Sequence, residues 1–120
     1  MSQDKSILIV EDDRDLRESI VVFLEGEGYR VIEAEDGKEA LRCLQSTDVC
    51  LILLDLFMPV MNVWAFRAEQ LRDPRLAAIP VVVISADAGT SQKAAALGAV
   101  DGMVKPIDFD RLVQTIAHHC

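Results

Sequence analysis

The stretch "VCLILLD" at 49–55 limits what this chain can fold into more than any other feature. Six consecutive apolar residues end in a lone carboxylate, Asp55. A strand with one wet face alternates apolar and polar side chains, so an unbroken run marks a strand covered on both faces, as in a parallel sheet. "SILIVE" (6–11), "IPVVVIS" (79–85) and "DGMVK" (101–105) read the same way, whereas "YRVIEA" (29–34) alternates like an edge strand.

Segments of helical period separate these runs. In "DRDLRESIVVFLEGEG", Leu16, Ile20, Phe23 and Leu24 share one stripe, and Gly26 and Gly28 end the helix. "DGKEALRCLQ" opens with Asp36 and has Glu39 three positions on, a capping box. "NVWAFRAEQLR", "TSQKAAALG" and "DFDRLVQTIAHH" complete the set, with Asn62, Thr90 or Ser91, and Asp108 as expected caps. Five strand and helix pairs with right-handed crossovers predict an α/β fold. The expected architecture is a flavodoxin-like (βα)5 three-layer sandwich, a five-stranded parallel sheet of order 2-1-3-4-5 with helices on both faces.

In such a sheet, ligands bind beyond the carboxyl ends of the strands, at the switch point between the first and third. The residues there are Glu11 and Asp12 after the first strand, Asp55 at the end of the third, Ser85 of the fourth and Lys105 of the fifth. Unit charges of one sign about 4 Å apart repel by roughly 4 kcal/mol at an effective dielectric of about 20, so clustered carboxylates need a counter-charge. Lys105 supplies one, and an all-oxygen donor set suits Mg²⁺, which keeps several waters and favours phosphate as co-ligand. Asp13 and Asp15, by contrast, read as ordinary negative charge at a helix start.

Composition narrows the function. A net charge of -8 without a basic run argues against direct nucleic-acid binding. No apolar run approaches the roughly 18 residues of a membrane span and the N-terminus is polar, so a cytoplasmic protein without membrane contact is expected. Cys43, Cys50 and Cys120, odd in number and without CxxC spacing, read as ordinary thiols rather than a disulfide framework or zinc site. "GEGYR" has its glycines after a helix and before a strand, the reverse of a phosphate-binding loop. His118 and His119 are adjacent, as solvated residues at a helix end.

Four motifs in order, "ILIVEDD", "LILLDLFMP", "VVVISA" and "MVKP", resemble a response-regulator receiver domain of two-component signalling, of the chemotaxis-regulator type, over nearly the whole chain. The resemblance implies that Asp55 accepts a phosphoryl group from a histidine kinase or histidine phosphotransfer protein. It further implies that Glu11, Asp12, Asp55 and the Phe57 backbone carbonyl arrange Mg²⁺, that Ser85, Ala86 and Lys105 bind the phosphoryl oxygens and switch, and that a downstream output domain or protein reads the result. Catalysis would extend only to the protein's own phosphorylation and dephosphorylation. A single domain over 1–120 is expected, alone or cut from a longer regulator or hybrid kinase. Phe57 and Asp87 occupy positions that tune water's access to the acyl phosphate, with Phe57 expected to shield it. Val21 and Val22, off the core stripe, are candidates for kinase docking or for packing under a loop, and Trp64 is a half-buried helix residue.

Two positions depart from the pattern. Gly102 stands where an aromatic switch residue is usual, and Val63 where a residue able to take positive φ is usual. These departures keep a second reading open, a receiver-like interaction module that signals without phosphate. A haloacid-dehalogenase-type hydrolase would want an Asp at position 57.

Overall fold

The computed structural model describes residues 5–120. The strands are β1 (Ser6–Val10), β2 (Arg30–Ala34), β3 (Val49–Asp55), β4 (Val81–Ser85) and β5 (Asp101–Val104). They pair in parallel in the order β2-β1-β3-β4-β5. The helices are α1 (Arg14–Gly26), α2 (Gly37–Ser46), α3 (Val63–Arg72), α4 (Pro74–Ala77), α5 (Thr90–Leu97) and α6 (Phe109–His119).

The unbroken apolar runs are buried for the anticipated reason. Successive side chains of a strand point to opposite faces. Leu8, Val10, Ile52, Leu54, Val81 and Val83 therefore face Leu44, Phe66 and Leu97 of α2, α3 and α5, while Ile7, Ile9, Leu51, Leu53, Val82 and Ile84 face Ile20 and Leu24 of α1 and Leu112 and Ile116 of α6. Each such side chain contributes about 1.5–3 kcal/mol on leaving water. Seven successive buried residues make β3 a rigid central strand with Asp55 at its tip.

Helix starts follow local chemistry. The side chains of Asp13, Asp36, Asn62 and Asp108 each accept backbone N–H groups at the starts of α1, α2, α3 and α6. Glu39 reaches back to the Glu35 N–H at 3.2 Å, closing the capping motif one residue earlier than the standard box. Four expectations need correction. Neither Thr90 nor Ser91 caps α5: its cap is Gly89, without a side-chain bond, and Thr90 Oγ1 donates back to the Asp87 carbonyl. Among the described residues the helices number six, because Asp73 accepts the Arg75 N–H and Pro74 occupies the first turn of the extra α4.

Cys50 and Cys120, read as separate thiols, are brought together as a pair, Cα–Cα 5.3 Å, within the span of a disulfide, with a sequence separation of 70 that leaves no local motif; Cys43 stands apart from them. Positive φ falls not at Val63, the buried first residue of α3, but at Val60, φ 71°. There the Met61 N–H donates to the Pro59 carbonyl at 2.7 Å, the pattern of the rarer, strained γ-turn. A β-branched residue in this region costs about 1–2 kcal/mol, partly offset in glycine by about 0.5–1 kcal/mol of chain entropy.

Val60→Gly is therefore expected to raise stability by up to about 1 kcal/mol. Urea unfolding checks this; a variant less stable than wild type would place the strain elsewhere.

Candidate functional site

Parallel strands carry their polar ends to one edge, and the structure brings the predicted groups together there. Glu11 follows β1 and Asp55 ends the adjacent β3; both are buried, while Asp12 is exposed. Carboxylate oxygens of all three lie within 4.8 Å of one another. Lys105, just past β5, places Nζ 3.0 Å from Glu11 Oε1 and 3.7 Å from Asp55 Oδ2.

Backbone contacts hold this cluster in place. The Asp13 N–H donates to Glu11 Oε2 at 3.0 Å and the Phe57 N–H to Asp55 Oδ1 at 3.1 Å. The Lys105 N–H donates to the Ser85 carbonyl at 2.7 Å, docking the end of β5 against β4. Arg17 was absent from the predicted set, yet its NH1 donates to the Glu11 carbonyl at 2.7 Å and its Nε to Glu33 at 2.9 Å, tying the end of β1 to β2. Its spacing from Ile20 and Leu24 puts it on the buried stripe, the signal that could have found it.

The electrostatics are unbalanced in a specific sense. Burial first, and the neighbouring Asp55 next, raise the Glu11 carboxyl above the usual range. Burial alone would lower Lys105, but Glu11 and Asp55 outweigh it and hold the ammonium above its ordinary value. Of the three clustered carboxylates, this ammonium is paired with Glu11 and Asp55. Lys105 is the partner of Glu11 Oε1, a buried oxygen that keeps acceptor capacity for a second contact. That oxygen and the all-carboxylate set fit a hard divalent cation such as Mg²⁺.

Ser85 is fully buried at the end of β4, and its Oγ accepts the Asp87 N–H at 3.0 Å. Ala86 is exposed in the following loop, and Phe57 is 61% exposed beside Asp55. At Gly102 an added Cβ would lie 2.9 Å from Ala94 Cβ and 3.1 Å from the Thr90 carbonyl, so α5 occupies the space an aromatic side chain would need. The two α1 valines separate: Val21 packs partly against the core, while Val22 is 70% exposed. Trp64 is half exposed, and His118 and His119 are exposed in the last turn of α6.

The model of the response regulator receiver domain family matches residues 7–117. The chain belongs to this family. This receiver domain is 40% identical over 110 residues to the transcriptional regulatory protein CrdR of Helicobacter pylori, covering 90% of the chain and 51% of CrdR. It is 34% identical to the CAI-1 autoinducer sensor kinase/phosphatase CqsS of Vibrio cholerae, over 95% of the chain and 17% of CqsS. The chain thus spans about half or less of the length of these curated relatives. Among solved structures it resembles response regulator TrrA of Thermotoga maritima in complex with Mg²⁺ and BeF, with TM-score 0.84, 27% identity, and coverage of 97% and 99% of the two chains. Among the described residues of the receiver domain, no helix is long and apolar enough to cross a membrane.

A carboxyl group whose folded pKa is raised adds stability below its unfolded pKa and loses that contribution as pH rises through the folded value. Lys105→Met would push Glu11 higher still. In metal-free buffer the variant is expected to be less stable than wild type by about 1–3 kcal/mol near neutral pH, the cost of leaving the buried Glu11 oxygen without its partner. The gap should narrow in mild acid as Glu11 takes up a proton. Urea unfolding at the two pH values checks this; a gap independent of pH would contradict the pairing.

Proposed function

We propose that this receiver domain accepts a phosphoryl group onto Asp55 from a phosphohistidine donor in a Mg²⁺-dependent reaction, and that the modified state alters a partner-binding surface. The observation that carries the reading is the convergence of three carboxylates, Lys105 and the Ser85 hydroxyl at the carboxyl edge of one parallel sheet.

Phosphoryl transfer asks a protein mainly for positioning and for neutralisation of charge on the transferring oxygens. Asp55 Oδ1 is held by the Phe57 N–H, which leaves Oδ2, on the Lys105 side, to attack phosphorus. The bond to the donor histidine nitrogen breaks as the acyl phosphate forms, and the electron pair stays on the imidazole. Lys105 would exchange part of its contact with Glu11 and Asp55 for a phosphoryl oxygen. Glu11, Asp12, Asp55 and the Phe57 carbonyl would hold Mg²⁺, partly through water. The ion would supply charge neutralisation for the incoming phosphoryl group.

The Ser85 hydroxyl, whose proton is not used in its bond with Asp87, would donate to the phosphoryl group, and the Ala86 backbone would follow. The added charge of about -1.5 to -2 can then bias a two-state surface. With Gly102 under α5, this bias does not pass through an aromatic rotamer at that position. On the kinase side, exposed Val22 with half-buried Val21 would offer an apolar spot on α1. A histidine kinase or phosphotransfer protein as donor, an output domain or protein as target, and a location in the cytoplasm complete the reading.

Incubation with Mg²⁺ and acetyl phosphate is expected to add the mass of one phosphoryl group to wild type and none to Asp55→Asn. Equal behaviour of the two by intact-mass spectrometry would favour the module that signals without phosphate.

A further inference from the structure

Lys93 of α5 belongs to none of the groups that would hold metal or phosphoryl, yet it contacts residues of both loops that follow β3 and β4. Its Nζ is ion-paired with Asp87 Oδ2 and lies 5.5 Å from the centroid of the Phe57 ring, within cation–π range. The hydrogen bond from Lys93 leads the causes that hold the Asp87 carboxyl below its usual range, and the Gly89 N–H donates to its other oxygen at 3.0 Å.

Both partners of Lys93 touch the reacting groups through their own backbones. The Phe57 N–H donates to Asp55 Oδ1, and the Asp87 N–H donates to Ser85 Oγ. The Lys93 ammonium therefore joins the loops after β3 and β4, each at a residue whose backbone N–H holds one of the strand-end groups. The platform beneath Lys93 is close-packed, because the neighbouring Ala94 presses on Gly102 of β5 with no room for a Cβ between them.

We propose that Lys93 is a positioning residue, a latch that holds Phe57 and Asp87 together over Asp55, slows the approach of water to an acyl phosphate there, and ties α5 to the state of Ser85. The inference rests on phosphorylation of Asp55. In the step it retards, a water oxygen attacks phosphorus and the bond from phosphorus to the Asp55 carboxylate oxygen breaks. The carboxylate leaves with the electron pair, and the proton of the water passes to solvent. When Ser85 turns its hydroxyl to the phosphoryl group, its bond with the Asp87 N–H is disturbed. Asp87 then pulls or releases Lys93, and with it the first turns of α5.

The test loads wild type, Lys93→Met and Lys93→Arg with acetyl phosphate at saturating Mg²⁺, removes the donor and follows loss of the phosphoryl mass. Lys93→Met keeps the aliphatic stem and deletes the charge. It is expected to shorten the lifetime roughly two- to fivefold, as loss of a partly exposed ion pair allows. Lys93→Arg should restore the wild-type lifetime, since a guanidinium both pairs with carboxylate and stacks on an aromatic ring. Added salt should shorten the wild-type lifetime and leave Lys93→Met unchanged, because only the former has the pair to screen. Hydrogen exchange of α5 amides should respond to beryllofluoride in wild type and respond less in Lys93→Met.

Equal lifetimes in wild type and Lys93→Met, failure of arginine to rescue, or an equal salt response in both would overturn the latch. Absence of Asp55-dependent labelling in wild type would instead remove the phosphorylation reading beneath it.

Discussion

The contact between Lys105 and the buried Glu11 is the interaction on which the arrangement of this molecule turns. A buried carboxylate without a partner would shift its pKa and take up a proton. An ammonium 3.0 Å away keeps the charged form accessible, and the same ammonium reaches Asp55. Lys105 can be there only because β5 lies beside β4 and its end is docked by the bond to the Ser85 carbonyl. The parallel sheet thus does electrostatic work. It gathers carboxylates that would repel one another and supplies one positive charge, leaving a negative excess suited to a divalent ion and then a phosphoryl group.

The strands and the residues at their ends were legible because each is written in contiguous sequence, to within a residue or two at the limits, and the sheet order followed from the alternation of strands and helices. Runs such as Val49 to Leu54, short and bounded by polar residues, fit doubly covered strands, and the polar residue after each run then emerges at the carboxyl edge. Contacts made across the fold were not legible. The spacing of Arg17 puts it on the buried stripe of α1, but its partner Glu33 is known only once β2 lies beside it. The Cys50–Cys120 pair depends on where the end of α6 lands. Loop conformation was half legible: a residue unsuited to the usual turn was noticed at Val63, but the chain puts its positive φ at Val60 and lets Val63 begin a helix.

Gly102 shows how one small residue redirects a design. Read alone, it removes an aromatic side chain. In the fold it does more, admitting Ala94 and the Thr90 carbonyl so closely that α5 sits down on β5. A helix held in that way has no side chain to rotate beneath it, and its polar link to the strand-end site runs over the top, through Lys93, Asp87 and Phe57.

The central claim, that the carboxyl edge is built for a divalent cation ahead of any chemistry, is tested most directly by calorimetric titration with Mg²⁺ of wild type, Glu11→Gln and Asp55→Asn. The account predicts a single site in wild type and a loss of about tenfold or more in affinity in each variant, the scale on which groups around a metal act. Binding of equal strength in all three, or none in wild type, would contradict it.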